Sequence, residues 1–153
     1  MQQPKYHSQD LRKGRYSEPS RIYLITTVTY QRKSLFHDWR TGRLVVHELK
    51  SATEQGLVDS LAWVIMPDHL HWLLQLRNVP LPQLMQQVKS RSAIAINRRL
   101  GTDGQVWQKG YYEHALRKEE DIKALARYIV ANPLRAGLVA KIGDYPLWDA
   151  VWL

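Results

Sequence analysis

Two histidines stand one residue apart in an apolar run, the sequence MPDHLHWLLQL of residues 66–76. Alternate residues of an extended segment share a face, so His69, His71 and Gln75 are predicted to point one way. The other side chains should point into the core: Leu70, Trp72, Leu74 and Leu76. Two imidazoles side by side can hold one divalent ion and leave positions open for substrate oxygens, if a third ligand comes from elsewhere. A hydrogen-bonded surface pair without a metal is the alternative.

A phenol and an amide are spaced to project together from the last long helix. Tyr128 and Asn132 are four residues apart at the edge of its apolar stripe, which holds Ile122, Leu125, Ala126, Ile129 and Val130. Tyr128 could belong to a functional site on this surface, or it could be an amphipathic boundary tyrosine. Asn132 could bind an ion, or it could cap a following helix, because it precedes Pro133.

The elements that would position these side chains alternate along the chain. Residues 1–20 are predicted to be an irregular arm, and 21–153 a single domain. Asp38 should cap a helix that runs to about Gln55, and Gly101 should end the next one. The predicted order is β-α-β-β-α-β and then a helix. This order is typical of an α+β, ferredoxin-like (split βαβ, RRM-like) sheet with helices on one face, plus the C-terminal helix.

The charge of the chain indicates a polyanionic partner. The formal net charge is +8, and residues 51–76, around the histidines, contain no Lys or Arg, whereas basic segments flank them on both sides. Such flanks suit a phosphate backbone, although a solvated basic surface is the alternative. The residues predicted to contact DNA are Arg32, Lys33, Lys89, Arg91, Arg98, Arg99, Arg117 and Lys118.

Composition also excludes several classes of protein. The chain has no cysteine, which rules out disulfides, thiolate nucleophiles and Cys-ligated zinc. No apolar stretch approaches the roughly 18 residues of a membrane span, and the N-terminal residues lack the apolar core of a signal peptide. We therefore expect a cytoplasmic protein with no membrane partner.

Three motifs in order resemble one family of DNA enzymes. MPDHLH, YYEHALR and RYIVANPLRAGLV are similar to the single-tyrosine HUH (His-hydrophobic-His) transposases, also described as IS200-like. The closer resemblance is to the REP-associated tyrosine transposases, which are found beside repetitive extragenic palindromes in bacterial genomes. The resemblance extends from about Arg21 to Trp148.

This resemblance implies a role for each candidate residue. His69 and His71 would bind a catalytic divalent ion, Mg²⁺ or Mn²⁺, with Asn132 as a possible further ligand. Tyr128, on what would be the catalytic helix, would be the nucleophile that forms a 5′-phosphotyrosine link. The implied partner is single-stranded or hairpin DNA from palindromic repeats, not a small molecule. The implied setting is the bacterial nucleoid, with a monomer favoured over a dimer.

One motif departs from the family pattern. Relatives often have tryptophans where this chain has Tyr111 and Tyr112, so two extra phenols are expected near the site. Glu113 and His114 follow directly and are predicted to support the site or contact DNA. Two other functions stay open at this point. One is a ferredoxin-like nucleic-acid-binding module without catalysis, and the other is a nuclease that activates water at the histidine pair.

Overall fold

A computed structural model describes residues 5–7, 21–117 and 120–152 of the chain. The strands are β1 (Lys5–His7), β2 (Ile22–Val28), β3 (Val58–Met66), β4 (His69–Leu76), β5 (Tyr111–Ala115) and β6 (Trp148–Ala150). The helices are α1 (Trp39–Glu54), α2 (Leu81–Leu100), α3 (Ile122–Val130) and the single turn α4 (Asn132–Arg135). None of the helices in these described ranges is long and apolar enough to cross a membrane.

The six strands form one antiparallel sheet in the order β1-β5-β2-β4-β3-β6. The four central strands, with α1 and α2 as crossovers, have the ferredoxin-like arrangement, which confirms the predicted fold class. The outermost strands, β1 and β6, have three residues each. The irregular arm predicted for residues 1–20 is therefore wrong at residues 5–7, which pair with β5. The rest of that arm lies outside the described residues.

The sheet separates two hydrophobic cores. On one face, α1 and α2 pack over alternate residues of β4, including the fully buried Trp72. On the other face, α3 packs across β3 and β6, with Leu125, Ala126 and Ile129 buried against Leu73 of β4. The alternation in β4 thus leaves its histidines on the face of α3 and turns the side chains predicted for the core toward the crossover helices, namely Leu70, Trp72, Leu74 and Leu76.

Local signals in the sequence set the ends of the helices. The side chain of Asp38 accepts a hydrogen bond from the backbone N–H of Arg40, as expected of an N-cap. Gly101 ends α2 with a φ of 66°, a left-handed conformation that glycine adopts without strain. Asp121 caps α3 in the same way as Asp38 caps α1, through the N–H of Ala124. This cap fixes where the helix that carries Tyr128 begins.

Candidate active site

The two histidines lie at the start of β4, on the sheet face that α3 partly covers. Pro67 and Asp68 form the tight turn from β3, and β4 then pairs with β2 so that His69 lies opposite Val28 and His71 opposite Thr26. The imidazole centroids are 4.8 Å apart and the ring planes are 81° apart. Two regular strands therefore hold the rings, which fixes their separation.

Both rings are held through Nδ1, which leaves Nε2 for a ligand. His69 Nδ1 is 2.7 Å from a carboxylate oxygen of Asp68, and His71 Nδ1 is 2.8 Å from the hydroxyl of Thr26. Because an ionised carboxylate only accepts, Nδ1 of His69 carries the proton and Nε2 has the free lone pair. A metal-binding histidine is commonly oriented by a carboxylate in this way.

His71 is a neutral imidazole at physiological pH. Burial above all, with the charges of the nearby His69 and of the Arg135 guanidinium, lowers its pKa to about 3. Asp68 remains a carboxylate, because hydrogen bonds and charge from His69 and Arg32 hold its pKa below the usual value although burial opposes them. The pair thus combines a neutral ring with a ring oriented by an anion.

Tyr128 and Asn132 line the same cleft as the histidines. The cleft has a volume of about 350 Å³, and its lining is Leu24, Thr26, Val28, Arg32, His69, His71, Tyr112, Tyr128, Ile129 and Asn132. Ile129 of α3 is buried beneath it, whereas the Tyr128 ring is 52% exposed and so accessible to a large substrate. The side chains proposed from three separate motifs are therefore brought together in one open cleft.

The side chain of Asn132 does not cap the following turn. The N-cap of α4 is Ala131, and the amide oxygen of Asn132 instead accepts a hydrogen bond from Nη2 of Arg135. The capping alternative is therefore wrong. Nη2 of Arg135 also donates to the backbone oxygen of Tyr128 at 2.7 Å, and the guanidinium carbon lies 3.9 Å from the centroid of the Tyr128 ring.

The donor set suits a divalent ion that keeps open positions. In the part of the chain that the structure describes, no cluster of three or more His, Asp or Glu side chains could hold a metal. An ion in this cleft would use Nε2 of His69 and His71, the amide oxygen of Asn132 and oxygens of water or substrate. Two imidazoles and one amide are compatible with Mn²⁺, and less suited to Mg²⁺, which prefers oxygen ligands.

Comparisons with known proteins identify the family of the chain. Residues 19–132 match the family described as transposase, IS200 like. The chain belongs to this family. A REP-associated tyrosine transposase of Escherichia coli K12 is 29% identical over 87 residues, which cover 56% of this chain and 50% of that protein. A Haemophilus influenzae Rd protein, provisionally given the same name, is 28% identical over 141 residues, covering 82% of this chain and 77% of the relative.

Two solved structures share the fold of this IS200-like chain. One is a REP-associated tyrosine transposase bound to a REP hairpin, with a TM-score of 0.71 and 22% identity over 88% of this chain and 79% of that one. The other is a transposase-like protein from Deinococcus radiodurans R1, with a TM-score of 0.54 and 22% identity over 78% and 95% of the two chains. The resemblance expected from the motifs is confirmed, and the match spans half the length of the Escherichia coli relative.

Arg32 is the predicted DNA-binding residue that the IS200-like fold brings to the cleft. It lines the cleft, and its guanidinium pairs with Asp68 at 3.3 Å, so it is linked through Asp68 to His69. Gln31 and Arg32 have φ values of 56° and 52°, which is uncommon for residues other than glycine. Backbone in this region costs free energy and is often found at functional sites. Lys33, the next residue, is exposed beside it.

The basic residues of α2 do not reach the cleft, because the sheet lies between them. Lys89 donates to the backbone oxygens of Gln108 and Gly110, which is a structural role, and Arg99 pairs with Asp38. Arg91 and Arg98 are exposed on that far side. A single DNA track along α2 and the cleft would therefore have to pass around the sheet.

The remaining predicted residues are divided between the two faces. Glu113 pairs in register with Ile25 of the crossover-helix core, so it does not face the cleft. His114 is on the cleft face, but its Nε2 lies 3.1 Å from both carboxylate oxygens of Glu120. Arg117 is exposed beyond β5. Lys118 lies outside the described residues.

Sequence reasoning missed three side chains that organise the cleft. Asp68 had a local signal, since a carboxylate directly precedes the histidine motif. Arg135 follows Asn132 at helical spacing, so its contact could also have been anticipated. Thr26 had no such signal, because its contact with His71 depends on the register between β2 and β4, 45 residues apart in the chain.

Proposed function

We propose that this transposase cleaves and rejoins single-stranded DNA through a covalent bond to Tyr128. The observation that supports the proposal is the shared cleft. A half-exposed phenol lines it together with two imidazoles that have free Nε2 atoms. A non-catalytic binding module has no need of this combination. The proposal accounts for all three motifs at once.

The reaction follows from the residue types. The phenolic oxygen of Tyr128 attacks the phosphorus, the bond to the 3′ oxygen breaks, and that oxygen leaves as a hydroxyl after taking up a proton, while the phenolic proton is lost to solvent. The product is a 5′-phosphotyrosine ester, which retains the bond energy, so a 3′ hydroxyl can later reverse the step and free the phenol. Attack by water would lose that energy.

The histidines, Asn132 and Arg32 prepare the phosphate for this attack. A divalent ion bound by His69, His71 and Asn132 would neutralise charge on a non-bridging phosphate oxygen. Arg32, at the same cleft, would contact the adjacent backbone phosphate and fix the strand. Positioning and charge stabilisation of this kind account for most of the catalysis in phosphoryl transfer. Mn²⁺ should support the reaction at least as well as Mg²⁺.

The substrate we infer is a DNA hairpin with an unpaired flank. The relatives carry REP-associated names, and a structural neighbour was solved with a REP hairpin. The unpaired flank is needed because the scissile phosphate must enter the cleft and reach Tyr128. The relatives named here are bacterial, so the DNA would be met at the nucleoid in the cytoplasm. A monomer contains the complete cleft, and we propose that it is the cleaving unit.

Trapping the covalent adduct tests this function. Labelled single-stranded hairpins with unpaired flanks, taken from palindromic repeats of the source genome, are incubated with protein and Mn²⁺ and run on denaturing gels. Wild type should give a protein-DNA band, and Tyr128→Phe should give neither the band nor the cut strand while it still binds the hairpin.

Tyr112→Phe is the matched control, since it removes a phenol from the same cleft. It should retain cleavage. Full cleavage by Tyr128→Phe would exclude Tyr128 as the nucleophile, and loss of cleavage in Tyr112→Phe alone would assign the role to Tyr112. Cut DNA without any covalent band would indicate a nuclease that uses water.

A further inference from the structure

Arg135 folds back from α4 over the residues that the proposed reaction uses. Its guanidinium carbon is 3.9 Å from the centroid of the Tyr128 ring, and Nη2 donates to the Tyr128 backbone oxygen and to the Asn132 amide oxygen. A planar guanidinium on the face of a phenol restricts rotation of the ring about its Cα–Cβ bond. One side chain therefore contacts both functional residues of α3 and α4.

A purely structural reason for these contacts also exists. Tyr128 is in the last turn of α3, where backbone oxygens lack helical partners, and an arginine commonly serves them. That role explains the bond to the backbone oxygen of Tyr128. It does not explain the second bond, to the amide oxygen of Asn132, or the stacking on the ring.

The position of the guanidinium has an electrostatic consequence for the histidines. The guanidinium donates to the amide oxygen of Asn132, which lines the same cleft as His69 and His71. A cation at this place disfavours a divalent ion bound by the histidines, because like charges repel. The amide oxygen of Asn132 is also the atom that the ion would need, and Arg135 already occupies it.

We propose that Arg135 is a positioning residue that holds the Tyr128 ring for attack and competes with the divalent ion for Asn132. This inference rests on the proposed function for its catalytic half, and on the proposed ion site together with the contacts of Arg135 for its metal half. When the ion binds, the guanidinium releases the amide oxygen and keeps its place on the ring. The two halves predict effects of opposite sign when the side chain is removed.

Metal affinity tests the competition without any DNA. Mn²⁺ is titrated calorimetrically into wild type, Arg135→Ala and Arg127→Ala. Arg127 is an exposed arginine of the neighbouring helix α3, so its replacement is the matched control for lost charge. Arg135→Ala should bind Mn²⁺ about fivefold more tightly, the upper range for one exposed charge interaction. Arg127→Ala should change affinity by less than about twofold. Equal or weaker binding by Arg135→Ala would overturn the competition.

The cleavage rate tests the positioning. At saturating hairpin and saturating Mn²⁺, single-turnover formation of the adduct should be at least about tenfold slower in Arg135→Ala, because a small misplacement of a nucleophile is costly. Hairpin affinity should change by less than about threefold. An unfolded or damaged variant would lose both its affinity for Mn²⁺ and its cleavage rate. Tighter Mn²⁺ binding together with slower cleavage therefore identifies the proposed role.

Arg135→Lys separates charge from geometry. Lysine keeps the positive charge that opposes the ion, but it lacks the planar group that stacks on the ring. It should restore Mn²⁺ affinity to within about twofold of wild type and leave the rate low. If wild type forms the adduct and Arg135→Ala forms it at the same rate, the positioning role is refuted and the competition with the ion is not. If wild type forms no adduct, the proposed function and the positioning fail together, and the Mn²⁺ titration still decides the competition.

Discussion

Replacing Asp68 by asparagine should weaken metal binding without disturbing the fold. The carboxylate holds Nδ1–H of His69 at 2.7 Å and so keeps the lone pair on Nε2. An asparagine of the same shape can turn its NH₂ group toward Nδ1, which stabilises the tautomer with its proton on Nε2 and removes the ligand. The substitution therefore weakens metal binding by moving the proton of His69 from Nδ1 to Nε2.

The size of the effect follows from the exposure of the pair. Losing an outer hydrogen-bond partner of a metal ligand typically reduces affinity by about 10- to 100-fold. The side chains of His69 and Asp68 are 20% and 25% exposed, so solvent screens part of the interaction. We expect the lower end, about tenfold, which corresponds to roughly 1.4 kcal/mol. Thermal stability should fall little, since the other partner of Asp68 is the exposed Arg32.

The assay is calorimetric titration of Mn²⁺ into wild type, Asp68→Asn and a matched control. Asp59→Asn is that control, because Asp59 pairs with Arg77 at 2.8 Å on the sheet but does not line the cleft. The control should bind Mn²⁺ as wild type does. Unchanged affinity in Asp68→Asn, with the protein folded, would show that Asp68 does not set the tautomer of His69. An equal loss in both variants would point to general electrostatics instead.

Three further outcomes are expected. His69→Ala and His71→Ala should each reduce Mn²⁺ affinity and DNA cleavage together and leave hairpin binding in chelator largely intact; calorimetry with unchanged affinity in both would refute the metal site. The metal-free protein should lose stability as pH falls from about 6.5 toward 3, by up to about 1.4 kcal/mol per pH unit. The reason is that the unfolded chain binds a proton at His71 that the folded chain excludes. Urea unfolding at pH 7 and at pH 5 should show a smaller loss of stability in His71→Gln than in wild type. Affinity for any DNA should fall steeply as the salt concentration rises. In mobility-shift competition at fixed salt, a flanked hairpin should compete better than a plain single strand, and a single strand better than a duplex. A duplex that competes equally well and is cut within its paired region would contradict the proposal.

The fold could be predicted because its signals are local. The alternation in β4, the cap at Asp38 and the left-handed Gly101 each act within a few residues, and together they fix the element order. The short strands β1 and β6 were missed because three residues carry too little pattern, and pairing with neighbours rather than propensity makes them strands.

The site was only partly predictable for the same reason. His69 and His71 are two residues apart on one strand, so their shared face could be predicted. Helical spacing likewise predicted that Tyr128 and Asn132 lie along one edge. Which face of the sheet receives α2 and which receives α3 is a tertiary property. The basic residues of α2 were predicted to contact DNA, whereas the structure has them on the face of the sheet opposite the cleft.

The two ends of the sheet limit how copies of this chain can associate. β3 has nine residues, but β6 pairs only with Ala62, Trp63 and Val64, and β1 on the opposite side is equally short. A three-residue outer strand offers few unpaired backbone groups as a template for another chain, so edge-to-edge addition and aggregation are disfavoured. Among the residues that the structure describes, these short outer strands disfavour a dimer built by extension of one continuous sheet.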